Sequence, residues 1–154
     1  MSTDRNILDH NKSVWNKLSD TGYIWTVPID SPTVEDAKNG KWAVILTPTI
    51  PVPSNWFPSS LKGIKILGLA SGGGQQCPVF AAAGADVTVF DNSPSQLAAD
   101  KMVAQRNNLS MSYEEGDMAD LSRFEDNSFD LIFHPISNSY VPDVNPVWKE
   151  AFRV

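Results

Sequence analysis

A chain of 154 residues, 42% hydrophobic and 19% charged, can bury one sizeable core and is too apolar to be disordered. Its formal net charge of −6 argues against a nucleic-acid partner, because phosphate binding asks for a basic face. A single cysteine excludes an internal disulfide, one Cys with two distant histidines (His10 and His134) argues against a zinc or other metal site, and with no span-length apolar run and no signal-peptide core a reducing cytoplasm is the expected location.

Residues 4–18 carry Ile7, Leu8, Val14, Trp15 and Leu18 near one face at helical spacing, which predicts an amphipathic helix. Tyr23 and Trp25 follow Gly22 and either close over a ligand or pack that helix; for Trp15, packing is expected. Residues 31–39 read as a short second helix, with Ser31 as cap, Pro32 in the first turn and Gly40 as the stop. Pro48, Pro51, Pro53 and Pro58 then exclude a continuous helix or a central strand. Residues 41–60 are therefore expected to form an irregular cover anchored by Trp42, Trp56 and Phe57, with Val44, Ile45, Leu46, Ile50 and Val52 turned inward. On this reading residues 1–60 are helices and cover, residues 61–154 are an α/β core, and both belong to one structural domain.

The core opens on IKILGLASGGGQQCPVFAAA. Ile64, Ile66, Leu67 and Leu69 predict a buried parallel strand; Gly72, Gly73 and Gly74 follow, then a helix from Gln76 to Ala83 stopped by Gly84. Strand, glycine turn and helix make the entry unit of a nucleotide-binding sheet. Glycine allows close backbone approach to a ligand, and the helix start aims free N–H groups at an anion. A P-loop needs Lys and Ser/Thr where Gln75 and Gln76 stand, and the dinucleotide pattern is met only in part, by Gly68, Ala70 and Gly73. S-adenosylmethionine remains as the candidate cofactor, with its carboxylate end at the helix terminus. Cys77 sits in the first turn of that helix, where thiol pKa values fall, but no histidine stands near it in sequence and it reads as a packing residue.

Residues 86–90 predict a second strand ending in Asp91, Asn92 and Ser93; Ser93 caps and Pro94 starts a helix to about Asn107, with Leu97, Met102 and Val103 on its inner face. A weak third strand lies at residues 111–114, followed by Gly116, Asp117 and Met118. Residues 129–133 make a fourth, and residues 145–153 begin a helix with Pro146 in its first turn. The alternation predicts a doubly wound, mostly parallel sheet, the first strand central, the second and third to one side and the fourth to the other. Ligands bind at the carboxyl ends of such strands, which gathers residues 72–74, Asp91, Asp117 and His134 on one rim. Asp91 is placed to accept both ribose hydroxyls of an adenosine, or is a turn aspartate. Asp117 is placed to accept from an adenine amino group with Met118 against the ring, or belongs to a solvated acidic loop with Glu114, Glu115 and Asp120. His134 lines the methyl-donor end, acts as general base, or is structural.

The stretches LGLASGGGQ, VTVFDNSPSQL, EEGDMADL and DNSFDLIFHPISNSYV, in this order and spacing, resemble class I S-adenosylmethionine-dependent methyltransferases of the bacterial small-molecule group. NKSVWNKLSDTG resembles the helix preceding their core. The resemblance implies an incomplete Rossmann-like methyltransferase core that moves a methyl group to a small molecule. It implies that Gly72 and Gly74, with Gly68 and Ala70, hold the methionine part. Asp91 would take the ribose with Asn92 beside it, Asp117 and Met118 the adenine, and His134 would lie near the methionine end. Where the family begins with an acid and a glycine this chain has Gly68 and Ala70, so backbone carbonyls of these two are expected to take the donor's amino group. The family sheet has seven strands, and this sequence reaches only the helix before the fifth, which suggests a truncated product. An uncovered fourth-strand edge, or residues 144–154, is then expected to pair with a second copy. Two other readings stand beside the enzyme: a donor-binding module without turnover, and a nicotinamide-dependent oxidoreductase, disfavoured by Ala70 and by Gly116-Asp117-Met118.

Overall fold

The computed structural model describes residues 3–47 and 49–154, with side chains from Asn6 onward. Pro48, one of the four expected breakers, lies outside the described residues. Helix α1 spans Thr3–Thr21 and is followed by a 3-10 turn at Ile24–Thr26 and by α2, Ser31–Lys38. After a second 3-10 turn at Ser54–Trp56, the core alternates β1 (Lys65–Leu69), α3 (Gln76–Ala82), β2 (Asp86–Asp91), α4 (Pro94–Asn107) and β3 (Ser112–Glu115). It ends with β4 (Leu131–Phe133), a 3-10 turn at Ser137–Tyr140 and α5 (Asn145–Arg153).

The four strands are all parallel and lie in the order β3-β2-β1-β4, as the alternation predicts. Leu67 of β1 faces Thr88 of β2 and Ile132 of β4. Side chains alternate between two cores, as the two-residue period of a strand demands. Ile66, Val87 and Val89 join Val34, Phe80 and Val103 on one face, whereas Leu67, Leu69 and Phe90 join Leu121 and Val147 on the other.

Local chemistry sets the element ends. Ser93 caps α4 by accepting from the Gln96 N–H at 3.2 Å, Pro94 follows, and Asn108 ends the helix in the left-handed region. In α2 the cap is Asp30, not Ser31, because the helix already begins at Ser31; Asp30 Oδ1 accepts from the Thr33 N–H at 2.9 Å. In the cover, Trp42 and Phe57 stack edge-on at 5.2 Å and both reach Phe80, but Trp56 is thrown outward by its 3-10 turn and is 67% exposed. Val44 is buried as expected, while Ile50 is exposed. In α4 the buried positions are Gln96, Leu97, Asp100, Val103, Ala104 and Asn107. Met102 falls on the opposite side of that face and is 47% exposed, so the expectation that it packs inward is corrected by the helical angle.

Candidate functional site

The carboxyl ends of β1, β2 and β3 open into a cavity of about 650 Å³. Its roof is α1 with Trp15, Tyr23 and Trp25; residues 45–47 form one wall and residues 135–146 close the β4 side. Ala70, Gly72, Asp91, Asn92, Asp117 and Met118 lie on the cavity wall. Gly68, Gly74 and His134 are not among the residues that line it.

Asp91 ends β2 with both carboxylate oxygens fixed. Oδ2 accepts from the Gly72 N–H at 2.9 Å and Oδ1 from the Ser93 N–H at 2.8 Å. Burial pushes its carboxyl above the usual range, and the N–H donors at Ser93 and Gly72 oppose that rise. A carboxylate has about four lone-pair positions, so acceptor capacity remains for a ligand diol. Asn92 Nδ2 donates to the Leu8 carbonyl at 2.9 Å and so ties the roof to the rim. After β3, Asp117 Oδ1 accepts from the Ala119 N–H at 3.0 Å, with Met118 buried beside it.

The glycine turn serves the protein's own packing first. A Cβ at Gly72 would lie 2.8 Å from Gln96 Cβ and 3.0 Å from Asp91 Oδ2; at Gly74, with φ +72, it would meet Pro28 and Ala99 at 2.9 and 3.0 Å. The turn is therefore pressed against α4 and the residues that follow the roof, and it reaches the cavity at Gly72. At Gly68 a Cβ would lie 2.2 Å from Cys77 Sγ, so no side chain fits at this strand position. Cys77 is fully buried, and burial pushes its thiol well above the ordinary range, opposite to the fall expected of a helix start.

His134 is held away from the cavity. Its Nδ1–H donates to the Leu69 carbonyl at 2.8 Å, its Nε2 lies 3.0 Å from the Asn138 amide, and its ring meets Trp148 edge-on at 5.6 Å. Ser137 Oγ donates to the Ala70 carbonyl at 2.9 Å. Of the carbonyls expected to take an amino group, that of Ala70 is thus already engaged.

Several residues of the site escaped sequence reasoning. Gln75 Nε2 donates to the Ile24 and Val27 carbonyls at 2.9 and 2.8 Å, and Gln76 Oε1 accepts from the Ile45 N–H at 2.8 Å. The two glutamines after the glycine turn hold the roof and one wall of the cavity. On the far side of the turn, Asp100 Oδ2 accepts from the Gly73 N–H at 2.9 Å. Burial raises the Asp100 carboxyl to about 8, against the pull of the Gly74 and Gly73 N–H groups. The available signal was polar residues at i, i+4 (Gln96 and Asp100) on the stripe that also holds Leu97 and Val103. Tyr140 stacks edge-on with Trp15 at 5.6 Å and completes an aromatic corner with Tyr23. Among the described residues no group of His, Cys, Asp and Glu is placed to hold a metal ion.

A parallel sheet whose strand ends place a glycine turn, a fixed carboxylate and a second acidic loop around one cavity has the arrangement of a doubly wound, nucleotide-binding α/β sheet. Residues 67–154 match the family described as Methyltransferase domain, and the chain belongs to that family, the class I S-adenosylmethionine-dependent methyltransferases with a Rossmann-like core. An uncharacterized methyltransferase, YbaJ, from Bacillus subtilis (strain 168) is 53% identical over 148 residues, covering 96% of this chain and 58% of its own length. An S-adenosylmethionine-dependent methyltransferase from Mesorhizobium loti superposes with a TM-score of 0.55 at 27% identity, over 64% of this chain and 44% of that one. Phosphoethanolamine N-methyltransferase 1 of Haemonchus contortus, solved with phosphoethanolamine and S-adenosylhomocysteine, superposes with a TM-score of 0.63 over 97% of this chain and 29% of that one; at 19% identity it shares the fold alone. The chain spans 58% of the length of YbaJ.

Proposed function

We propose that this chain binds S-adenosylmethionine in the cavity at its strand ends and takes part in methyl transfer to a small molecule. The observation that carries the reading is the position of Asp91, its carboxylate clamped by the Gly72 N–H at 2.9 Å on the wall of a 650 Å³ cavity. The cavity wall holds residues that suit the donor: Asp91 for the ribose hydroxyls, Asp117 and Met118 for the adenine, and Gly72 of the glycine turn for the methionine part. When bound, the donor supplies a methyl group already activated on a sulfonium, so the protein has to orient the two partners and exclude water. Trp15, Tyr23, Trp25 and Tyr140 line one side of the cavity with aromatic surface on which a small acceptor could pack.

The roof and wall held by Gln75 and Gln76 also suit the second reading, a donor-binding module without turnover. A cytoplasmic location and self-association through the β4 edge or α5 belong to the same proposal; no helix among the described residues is long and apolar enough to cross a membrane. Calorimetric titration separates the readings from a nicotinamide enzyme: binding of S-adenosylhomocysteine and not of NADH is expected, and the reverse would refute the proposal. Transfer of labelled methyl from S-adenosylmethionine into a metabolite extract distinguishes the enzyme from the module.

A further inference from the structure

A buried polar atom without a partner marks an unmet demand for a hydrogen bond. Among the described residues four side-chain atoms are in this state. Three of them, Gln96 Nε2, Gln96 Oε1 and Asp100 Oδ1, belong to two residues one helical turn apart on α4. Gln96 is 2% exposed and lines the cavity, and Asp100 is fully buried. A Cβ placed on Gly73 would lie 2.6 Å from Gln96 Oε1 and 3.0 Å from the Trp25 carbonyl oxygen, so two acceptors converge beside the glycine turn. The turn does not satisfy them, because the Gly73 N–H is shared between Asp100 Oδ2 at 2.9 Å and the Gln96 backbone carbonyl at 3.2 Å. The carbonyls at the end of β1 are engaged elsewhere, Leu69 with His134 and Ala70 with Ser137.

A primary amide both donates and accepts. A zwitterionic amino-acid end asks for both: its carboxylate accepts and its ammonium donates. We propose that Gln96 is a binding residue for the amino-acid end of the methyl donor, Nε2 donating to the carboxylate and Oε1 accepting from the ammonium, with the Trp25 carbonyl as the second acceptor. This rests on the reading that the cavity takes S-adenosylmethionine.

Two probes separate the ends of the donor. S-adenosylhomocysteine carries the thioadenosine part and the amino-acid end, while 5′-methylthioadenosine keeps the thioadenosine part and lacks the amino-acid end. Their affinities are measured by calorimetry for the wild-type chain and for Gln96→Met, which keeps the length and removes both polar atoms. Because those atoms are buried without partners in the free chain, the melting temperature holds or rises, whereas removal of a purely structural group would lower it. Affinity for S-adenosylhomocysteine falls about ten- to hundredfold, the size of hydrogen bonds lost to charged groups, and affinity for 5′-methylthioadenosine stays within about twofold. Unchanged binding of S-adenosylhomocysteine overturns the assignment and leaves a water-filled polar niche. Equal loss for both probes overturns it in favour of a ribose contact. A wild-type chain that binds neither probe refutes the donor reading itself, and this residue's role with it. Should Gln96→Met fail to fold, Gln96→Glu serves, since it keeps an acceptor and sets a negative charge against the carboxylate; the same selective loss is expected.

Discussion

Asp91 does two things at once, and a substitution separates them. Its oxygens hold the Gly72 and Ser93 N–H groups, and the same carboxylate faces the cavity. Asp91→Ala leaves those two donors without their partner, a loss of about 1–3 kcal/mol, and removes the acceptor for a ribose diol. The expected outcome is a chain that still folds, read by far-ultraviolet circular dichroism, with S-adenosylhomocysteine affinity down at least about a hundredfold; unchanged affinity would make Asp91 a turn residue only. Asp100 acts on stability instead. Its carboxyl is raised to about 8 in the folded chain by burial, against about 3.9 in an unfolded one. Below about pH 4 it is protonated in both states and costs nothing. As pH rises from 4 to 8 the unfolded chain gains by ionising while the buried group keeps its proton, so stability falls, by at most about 6 kcal/mol. The ionisable groups that bear on it are Asp91 of β2, Cys77 of α3 and Tyr113 of β3. Asp100→Asn cannot ionise, and its carbonyl still accepts from Gly73. Its melting temperature is expected to match wild type near pH 4 and to exceed it by several degrees at pH 8, on the order of what a few kcal/mol produces. A difference that does not grow with pH would refute the account.

Between elements, the start of α3 is the junction that joins the glycine turn to the walls around it. Gln75 hooks the Ile24–Thr26 turn, Gln76 hooks Ile45, and the Gly74 carbonyl accepts from the Ile29 N–H at 2.9 Å. Gln75→Glu keeps the shape and turns a donor into an acceptor facing two carbonyls. Amide hydrogen exchange at residues 23–29 is expected to accelerate at least about tenfold while β1 and β2 stay protected; equal protection in both chains would show that the hook holds nothing. This junction was not legible in the sequence, because a glutamine pair has no periodicity and its partners lie 31 to 51 residues away. The same physics explains the other readings. The order of the strands followed from alternation and the handedness of crossovers, Asp91 from its place at the end of an apolar run, and Asp117 from its place after the weak third strand. Met102 was placed inside by hydropathy, whereas the buried stripe of α4 spends two of its positions on Gln96 and Asp100, which face the glycine turn. Trp56 and Ile50 lie in a segment whose prolines remove any period, so size and hydropathy alone could not say which aromatic turns inward.

At the scale of the molecule, the proposed self-association is predicted to use the open side of the sheet. In the order β3-β2-β1-β4, the outer side of β4 pairs with no strand among the described residues. Beside it α5 turns Val147 inward and leaves Trp148 48% and Phe152 94% exposed, one helical turn apart on the outer face. A net charge of −6 opposes self-association at long range, but it is screened within about 8–10 Å at physiological salt, while burying an exposed Phe is favourable by about 1.5–3 kcal/mol. Sedimentation equilibrium at micromolar concentration is therefore expected to give twice the 16.9 kDa chain mass, with association strengthened by added salt. Phe152→Asp puts a charge into the middle of that face and is expected to weaken association at least tenfold, about 1.4 kcal/mol, with the circular dichroism unchanged. A single-chain mass across the micromolar range, or a Phe152→Asp variant that associates as well as wild type, would remove this face from any role in pairing.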